Sequence, residues 1–219
     1  MLSECSLSYH QGVTQTTTTS TRATPMSVEQ RQDMIIGVVI PLILEHGKDL
    51  TSKQIAEACG IAEGTIFRAF GSKDALIDAA FKTAFDVDPL IKALGRIDRS
   101  LPLRERMTEA VDVAQTRLRG VFKLFIAMRI ARPPADWKSD PDEEARRKLD
   151  GERADEAFAD VFRADAAQLR YPPEEVCRLL RLITFSATHP MISDGRTLTA
   201  EAIVDFALDG VRLHEPGDR

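Results

Sequence analysis

Thr51-Ser52-Lys53-Gln54-Ile55-Ala56-Glu57-Ala58-Cys59-Gly60-Ile61-Ala62-Glu63-Gly64-Thr65-Ile66-Phe67-Arg68-Ala69-Phe70 reads as two short helices joined by a glycine turn. Thr51 and Gln54 stand three apart, the spacing at which each side chain caps the other's backbone N–H. The helix they open turns Ile55, Ala56 and Cys59 inward, and Gly60 stops it because glycine enters the left-handed region without a Cβ penalty. Ile61 is expected to be a buried turn residue. A second helix over 62–70 then carries Ile66 and Phe70 inward at i, i+4. An amphipathic helix, a tight turn and a second helix with one free face make a helix-turn-helix, whose second helix can lie in a DNA major groove.

The pattern stays helical on both sides. Upstream, Met34, Ile35, Val38, Val39, Leu42 and Ile43 recur every three or four residues, with Ser27 as N-cap, Gly47 as C-cap and an expected kink at Pro41. Downstream, Gly71 ends the second helix and Ser72 caps another, which Leu76, Ile77, Ala80, Phe81, Ala84 and Phe85 make apolar on one side. Residues 86–101 read as a linker. Pro102 then opens a helix with Leu103, Met107, Ala110, Val111, Ala114 and Leu118 on one face. A strongly apolar segment, Val121 to Met128, follows and ends at Pro133-Pro134. The charged run 140–153 passes into a stripe of Ala154, Ala157, Phe158, Val161 and Phe162, and two further helices are expected over 173–188 and 198–212. No segment alternates with period two. The fold is therefore read as all-α, with about nine helices. Residues 1–26 read as a disordered extension with a Thr/Ser tract, 27–73 as a three-helix DNA-binding domain, 74–85 as a connecting helix and 86–219 as a C-terminal helical bundle. Met26, directly before the first helical pattern, is a candidate alternative start.

Composition narrows the chemistry. The chain has 219 residues, 43% of them hydrophobic and 29% charged, and a formal net charge of −5. No apolar run approaches the ~18 residues of a membrane span, so no membrane partner is expected. Cys5, Cys59 and Cys177 form no C-x-x-C pair, and His10, His46, His189 and His214 never fall at metal-binding helical spacing. Neither a metal site nor a cofactor is expected, and the default location is the reducing cytoplasm. There is no phosphate loop, no G-x-S-x-G and no Cys/His pair, so the chain is not read as an enzyme.

The helix-turn-helix closely resembles that of the TetR family of transcriptional regulators, which reads T-x-x-x-I-A-x-x-A-G-V-S-x-G-T-L-Y-x-x-F-x-x-K-x-x-L. The match runs through Ile55-Ala56, Gly60-Ile61, Gly64-Thr65-Ile66-Phe67, Phe70, Lys73 and Leu76, and the resemblance covers about 28–85. Phe67 stands where the family has tyrosine, which removes a phenolic donor to phosphate. Cys59 replaces the usual alanine, and Ala62 replaces the usual serine, which leaves the second helix without a hydroxyl cap. The exposed candidates on that helix are Ala62, Glu63, Thr65, Arg68 and Ala69. Arg68 is the best base reader or phosphate clamp, because its planar fork fits guanine or a phosphate. Gly64 admits close backbone approach or spaces the helix from its neighbour. Ser52, Lys53 and Lys73 lie at helix starts, where phosphates are attracted. Over 26–85 six basic residues face eight acidic ones. Few phosphate contacts per subunit are therefore expected, with affinity resting on dimerisation and specific contacts.

The resemblance implies a homodimer on a palindromic double-stranded DNA operator, probing for a small-molecule effector, hydrophobic or aromatic, and acting as a repressor. Met107, Phe122, Phe125, Met128, Trp137, Phe158, Phe162, Phe185 and His189 are candidates to line its pocket, and Arg129 and Arg132 to meet an anionic group. The last two helices resemble the pair that dimerises in the family, with Leu180, Ile183, Ala187, Ile203, Val204, Ala207 and Val211 as candidate interface residues; burial within the chain is the alternative. Two rival functions are an architectural helix-turn-helix protein without an effector, and a helical ligand carrier or enzyme.

Overall fold

The computed structural model describes residues 26–129 and 141–211. Nine α-helices are formed among them: α1 Val28–His46, α2 Ser52–Cys59, α3 Glu63–Phe70, α4 Lys73–Phe85, α5 Asp88–Leu94, α6 Leu103–Ala127, α7 Pro141–Asp160, α8 Pro173–Thr188 and α9 Ala200–Val211. Single 3-10 segments cover Gly47–Asp49 and Arg163–Gln168. The reading of residues 1–25 as disordered, Trp137, Arg132 and the Pro133-Pro134 stop all lie outside the described residues.

The caps fall where their chemistry requires. Ser27 and Thr51 each form a reciprocal capping box, with Gln30 and Gln54, and the Ser72 hydroxyl accepts from the Ala75 N–H at 3.0 Å. Gly60 closes α2 in the left-handed region at φ 65°, ψ 32°. α1 continues through Pro41. Pro41 and Gly37, four residues earlier, both lie on its exposed side, so the unmade hydrogen bond faces water.

Three expectations need correction. The stretch 86–101 holds α5, seated by Pro89 in its first turn and by Asp86, whose carboxylate accepts from the Asp88 N–H at 3.0 Å. Seven residues hold too few apolar positions to stand out as a stripe. The two segments 103–118 and 121–128 form one helix of 25 residues, about 37 Å long. Ile61 is half-buried rather than buried.

Two cores result. The first gathers Ile35, Val39, Ile43, Leu50, Ile55, Ile66, Leu76 and Phe81 from α1–α4, together with Leu124 from the end of α6. The second joins α5–α9 around Met107, Val111, Phe162, Leu180, Ile203 and Val204. α6 thus runs through both. Phe125 stacks on Phe81 and Phe85 of α4 at 5.5 and 5.9 Å between ring centres. Gly47, at φ 57° and ψ −136°, ends α1 against the last turn of α6, where a Cβ would sit 2.3 Å from the Ala127 carbonyl oxygen. Buried polar groups fix the second core: Arg106 donates to the Val161 carbonyl at 2.8 Å and the Leu101 carbonyl at 2.9 Å, and pairs with Asp165. Gln115 donates to Thr188 Oγ1 and the Leu198 carbonyl, which joins α6 to α8 and to the approach to α9.

Candidate functional site

α3 is held from behind and left open in front. Ile66 is its one fully buried residue, while Ala62, Glu63, Gly64, Phe67 and Arg68 are exposed. Thr65, Ala69 and Phe70 are half-buried, so Thr65 and Ala69 offer less surface than an exposed face would. Gln32 of α1 donates to the Ala69 carbonyl at 2.7 Å and ties the end of α3 to the first helix. Nothing in the sequence pattern marks Gln32, because its partner is a backbone atom 37 residues away.

The polar candidates divide by what they already hold. Arg68 forms no ion pair or hydrogen bond with a described residue and is presented to solvent. Ser52 donates to the Glu63 carboxylate, which links the starts of α2 and α3 and makes both groups partly self-satisfied. Lys53 lies 3.9 Å from Glu57 in a fully solvated pair, an association weak enough to yield to phosphate. Lys73 is different: its ammonium donates to the Leu50 carbonyl at 2.8 Å, so it holds the loop before α2 to the start of α4 rather than standing free for DNA. Ala62 supplies no side-chain cap to α3. At Gly64 an added Cβ would meet nothing within 4 Å, which removes the reading of this glycine as a spacer between helices.

The candidate pocket residues do not line one cavity. Met107 and Phe162 are fully buried in the second core, Phe125 and Met128 pack against the first, and Phe122 and Phe185 stack with each other and with His189. Arg129 is exposed just beyond α6. A half-open cavity of about 140 Å³ lies between α5, α6, α7 and α8, walled by Leu90, Ala114, Leu118, Ala154 and Phe158 with Cys177, Thr184, Arg117, Arg181 and Asp155. Of the described pocket candidates only Phe158 reaches it. Thr184 is 2% exposed, and its hydroxyl has no hydrogen-bond partner among the described residues. Burial and the nearby Asp155 push the Cys177 thiol up to about 12, so it is inert as a nucleophile. Arg117 also borders a larger cleft of about 620 Å³ against α4 and α7.

The candidate interface residues split likewise. Leu180, Ile203, Val204, Ala207 and Val211 are buried in the chain's own second core and have no surface left for another copy. Ile183 and Ala187 line a shallow groove with Leu182, Ile192 and Leu198. Leu182, Phe185 and Phe206 are exposed on α8 and α9, Phe206 by 70%. Helical periodicity finds both faces of such helices but does not say which one the chain buries against itself.

Residues 40–80 match the family model described as bacterial regulatory proteins, tetR family. The match spans the end of α1, all of α2 and α3, and the first part of α4. Over about 84–86% of its length the chain shares the fold of solved tetR-family proteins. One from Mesorhizobium loti is 15% identical, with 86% of this chain and 100% of that one covered at a TM-score of 0.62. One from Streptomyces coelicolor is 22% identical, covering 84% and 99% at 0.52. LfrR from Mycobacterium smegmatis, solved with proflavine, is 19% identical, covering 84% and 96% at 0.50. No curated protein matches the sequence. α2 and α3 form the helix-turn-helix expected from the sequence, and α4 follows it and packs in the first core. Among the described residues no group of metal-ligating side chains assembles, and no helix is long and apolar enough to cross a membrane.

Proposed function

We propose that this chain is a cytoplasmic, ligand-responsive transcriptional repressor that binds a palindromic operator as a homodimer. The observation that carries this reading is the stance of α3: held from behind by Ile66 and by Gln32 at its end, with Gly64, Phe67 and Arg68, which pairs with no described residue, on the outward side. Arg68 reads guanine or clamps a phosphate, Phe67 gives an apolar contact to a thymine methyl or sugar, and Lys53 exchanges Glu57 for phosphate. The exposed apolar groups of α8 and α9 support a two-fold contact that sets two copies of α3 about one helical turn of DNA, ~34 Å, apart. The cavity between α5 and α8 supports a small effector that favours a state with another spacing, in keeping with the proflavine complex of LfrR.

The test is protection of a palindrome near the chain's own gene. Arg68→Ala is expected to weaken operator binding about 30- to 1000-fold, the loss of one bidentate contact in each of two subunits, with an unchanged melting curve. Full affinity in that variant would remove α3 from the interface. Gly64→Ala separates fold from function more sharply. With open space around it, alanine should hold or raise thermal stability by about 0.5 kcal/mol through helix propensity. Operator affinity should nevertheless fall at least about 10-fold if DNA lies against the backbone, measured by fluorescence anisotropy.

A further inference from the structure

Among the described residues, the cavity between α5, α6, α7 and α8 carries one cation without a carboxylate in ion-pair contact. Arg181, in its wall, lies 3.3 Å from Asp155. Arg117 forms no ion pair with a described carboxylate. Its guanidinium donates instead to two backbone carbonyls at the end of α4, that of Phe85 at 2.6 Å and that of Asp86. Burial holds its pKa below the usual range for arginine while Asp86 acts in the opposite sense, so the charge sits in a poorly solvated place. A half-buried guanidinium satisfied only by neutral carbonyls still attracts an anion, because a carboxylate gives it two charge-assisted bonds. Across the same cavity Thr184 holds a buried hydroxyl with no partner among the described residues. The remaining wall is apolar, and the volume of about 140 Å³ is close to the ~150 Å³ that accommodates one benzene ring.

We propose that the effector is a small organic monocarboxylate with an apolar body, whose carboxylate is bound by Arg117 and Thr184, and that drawing Arg117 onto it releases the Phe85 and Asp86 carbonyls. This rests on the effector reading above and adds to it the ligand's charge and the lever it pulls. The two carbonyls close the C-terminal end of α4, the helix that leads from the helix-turn-helix, so their release loosens that helix where it meets the second core.

Benzoate, benzyl alcohol and toluene share one ring size and differ in charge and polarity. Calorimetric titration of the full chain should give saturable benzoate binding at least about 10-fold tighter than either neutral compound. Arg117→Met should weaken benzoate about 10- to 100-fold. Thr184→Val, which removes a hydroxyl that has no partner to lose, should weaken it several-fold without lowering the melting temperature, and so serves should Arg117→Met fail to fold. Hydrogen exchange should quicken at the amides of residues 83–87 when benzoate is present. Toluene or benzyl alcohol binding as tightly as benzoate would overturn the anion assignment and leave the cavity as an effector site. Undiminished benzoate affinity in Thr184→Val and Arg117→Met, or binding with unchanged exchange at 83–87, would overturn the lever. If none of the three compounds bound, the inference would fall. The effector reading would then be judged separately, by operator release across a broader panel.

Discussion

Alanine in place of Gly47 is expected to lower the melting temperature by about 10 °C, the largest loss from a glycine-to-alanine change among the described residues. Two costs combine. At φ 57° and ψ −136° the backbone lies in a region essentially confined to glycine, where a side chain adds about 1–3 kcal/mol of strain. The new Cβ would also stand 2.3 Å from the Ala127 carbonyl oxygen, a backbone atom that cannot swing aside as a side chain can. Relieving that contact means moving the end of α1 away from the end of α6, which opens the first core around Leu124 and adds about 1–3 kcal/mol. Differential scanning calorimetry measures the sum. A shift below about 2 °C would mean that the two helix ends are not held together as described.

Phe206→Asp is expected to convert the proposed dimer into monomers and to weaken its operator binding by about three orders of magnitude, while the fold remains intact. Phe206 is 70% exposed on α9, so its replacement removes little packing within the chain. In a two-fold interface each substitution counts twice, and a central aromatic contributes about 2 kcal/mol or more per copy, about a 1000-fold change in dimer affinity. An aspartate there adds the cost of desolvating a charge. Sedimentation equilibrium gives the oligomeric state and circular dichroism the fold. A variant that remains dimeric would move the interface off this part of α9, towards the groove lined by Leu182, Ile192 and Leu198.

The first domain was legible because its signals are local. A capping box at Thr51 and Gln54, a left-handed glycine at 60, and Ile66 four residues before Phe70 each act within one or two turns, and the structure places each where the spacing predicts. The second body is less local. α5 was hidden because seven residues show no period, and 103–127 read as two segments because its apolar face changes character where the helix passes from one core to the other. The same lack of locality separates Lys73, which bonds a carbonyl 23 residues away, from a lysine waiting for phosphate. It also explains the pocket. Phe122, Phe125 and Phe162 are bulky and helical, as pocket walls are, but so is any core, and only the three-dimensional neighbours distinguish them. Arg117 and Thr184 lack any spacing signature, since Arg117 bonds backbone carbonyls more than 30 residues away and the Thr184 hydroxyl has no partner among the described residues.

The passage of α6 through both cores bears on how such proteins can be recombined. A chimera joined just after Phe85, with the reading head of this chain grafted onto the body of another, would strip Phe81 and Phe85 of Phe125 and leave a hole where Leu124 had been. The head would have to bring the last two turns of a helix some 40 residues further along the chain, or find a donor whose own helix ends in side chains of the same shape. New pairings of sensor and operator should therefore arise more readily by changing residues on the outer face of α3 than by exchanging whole domains.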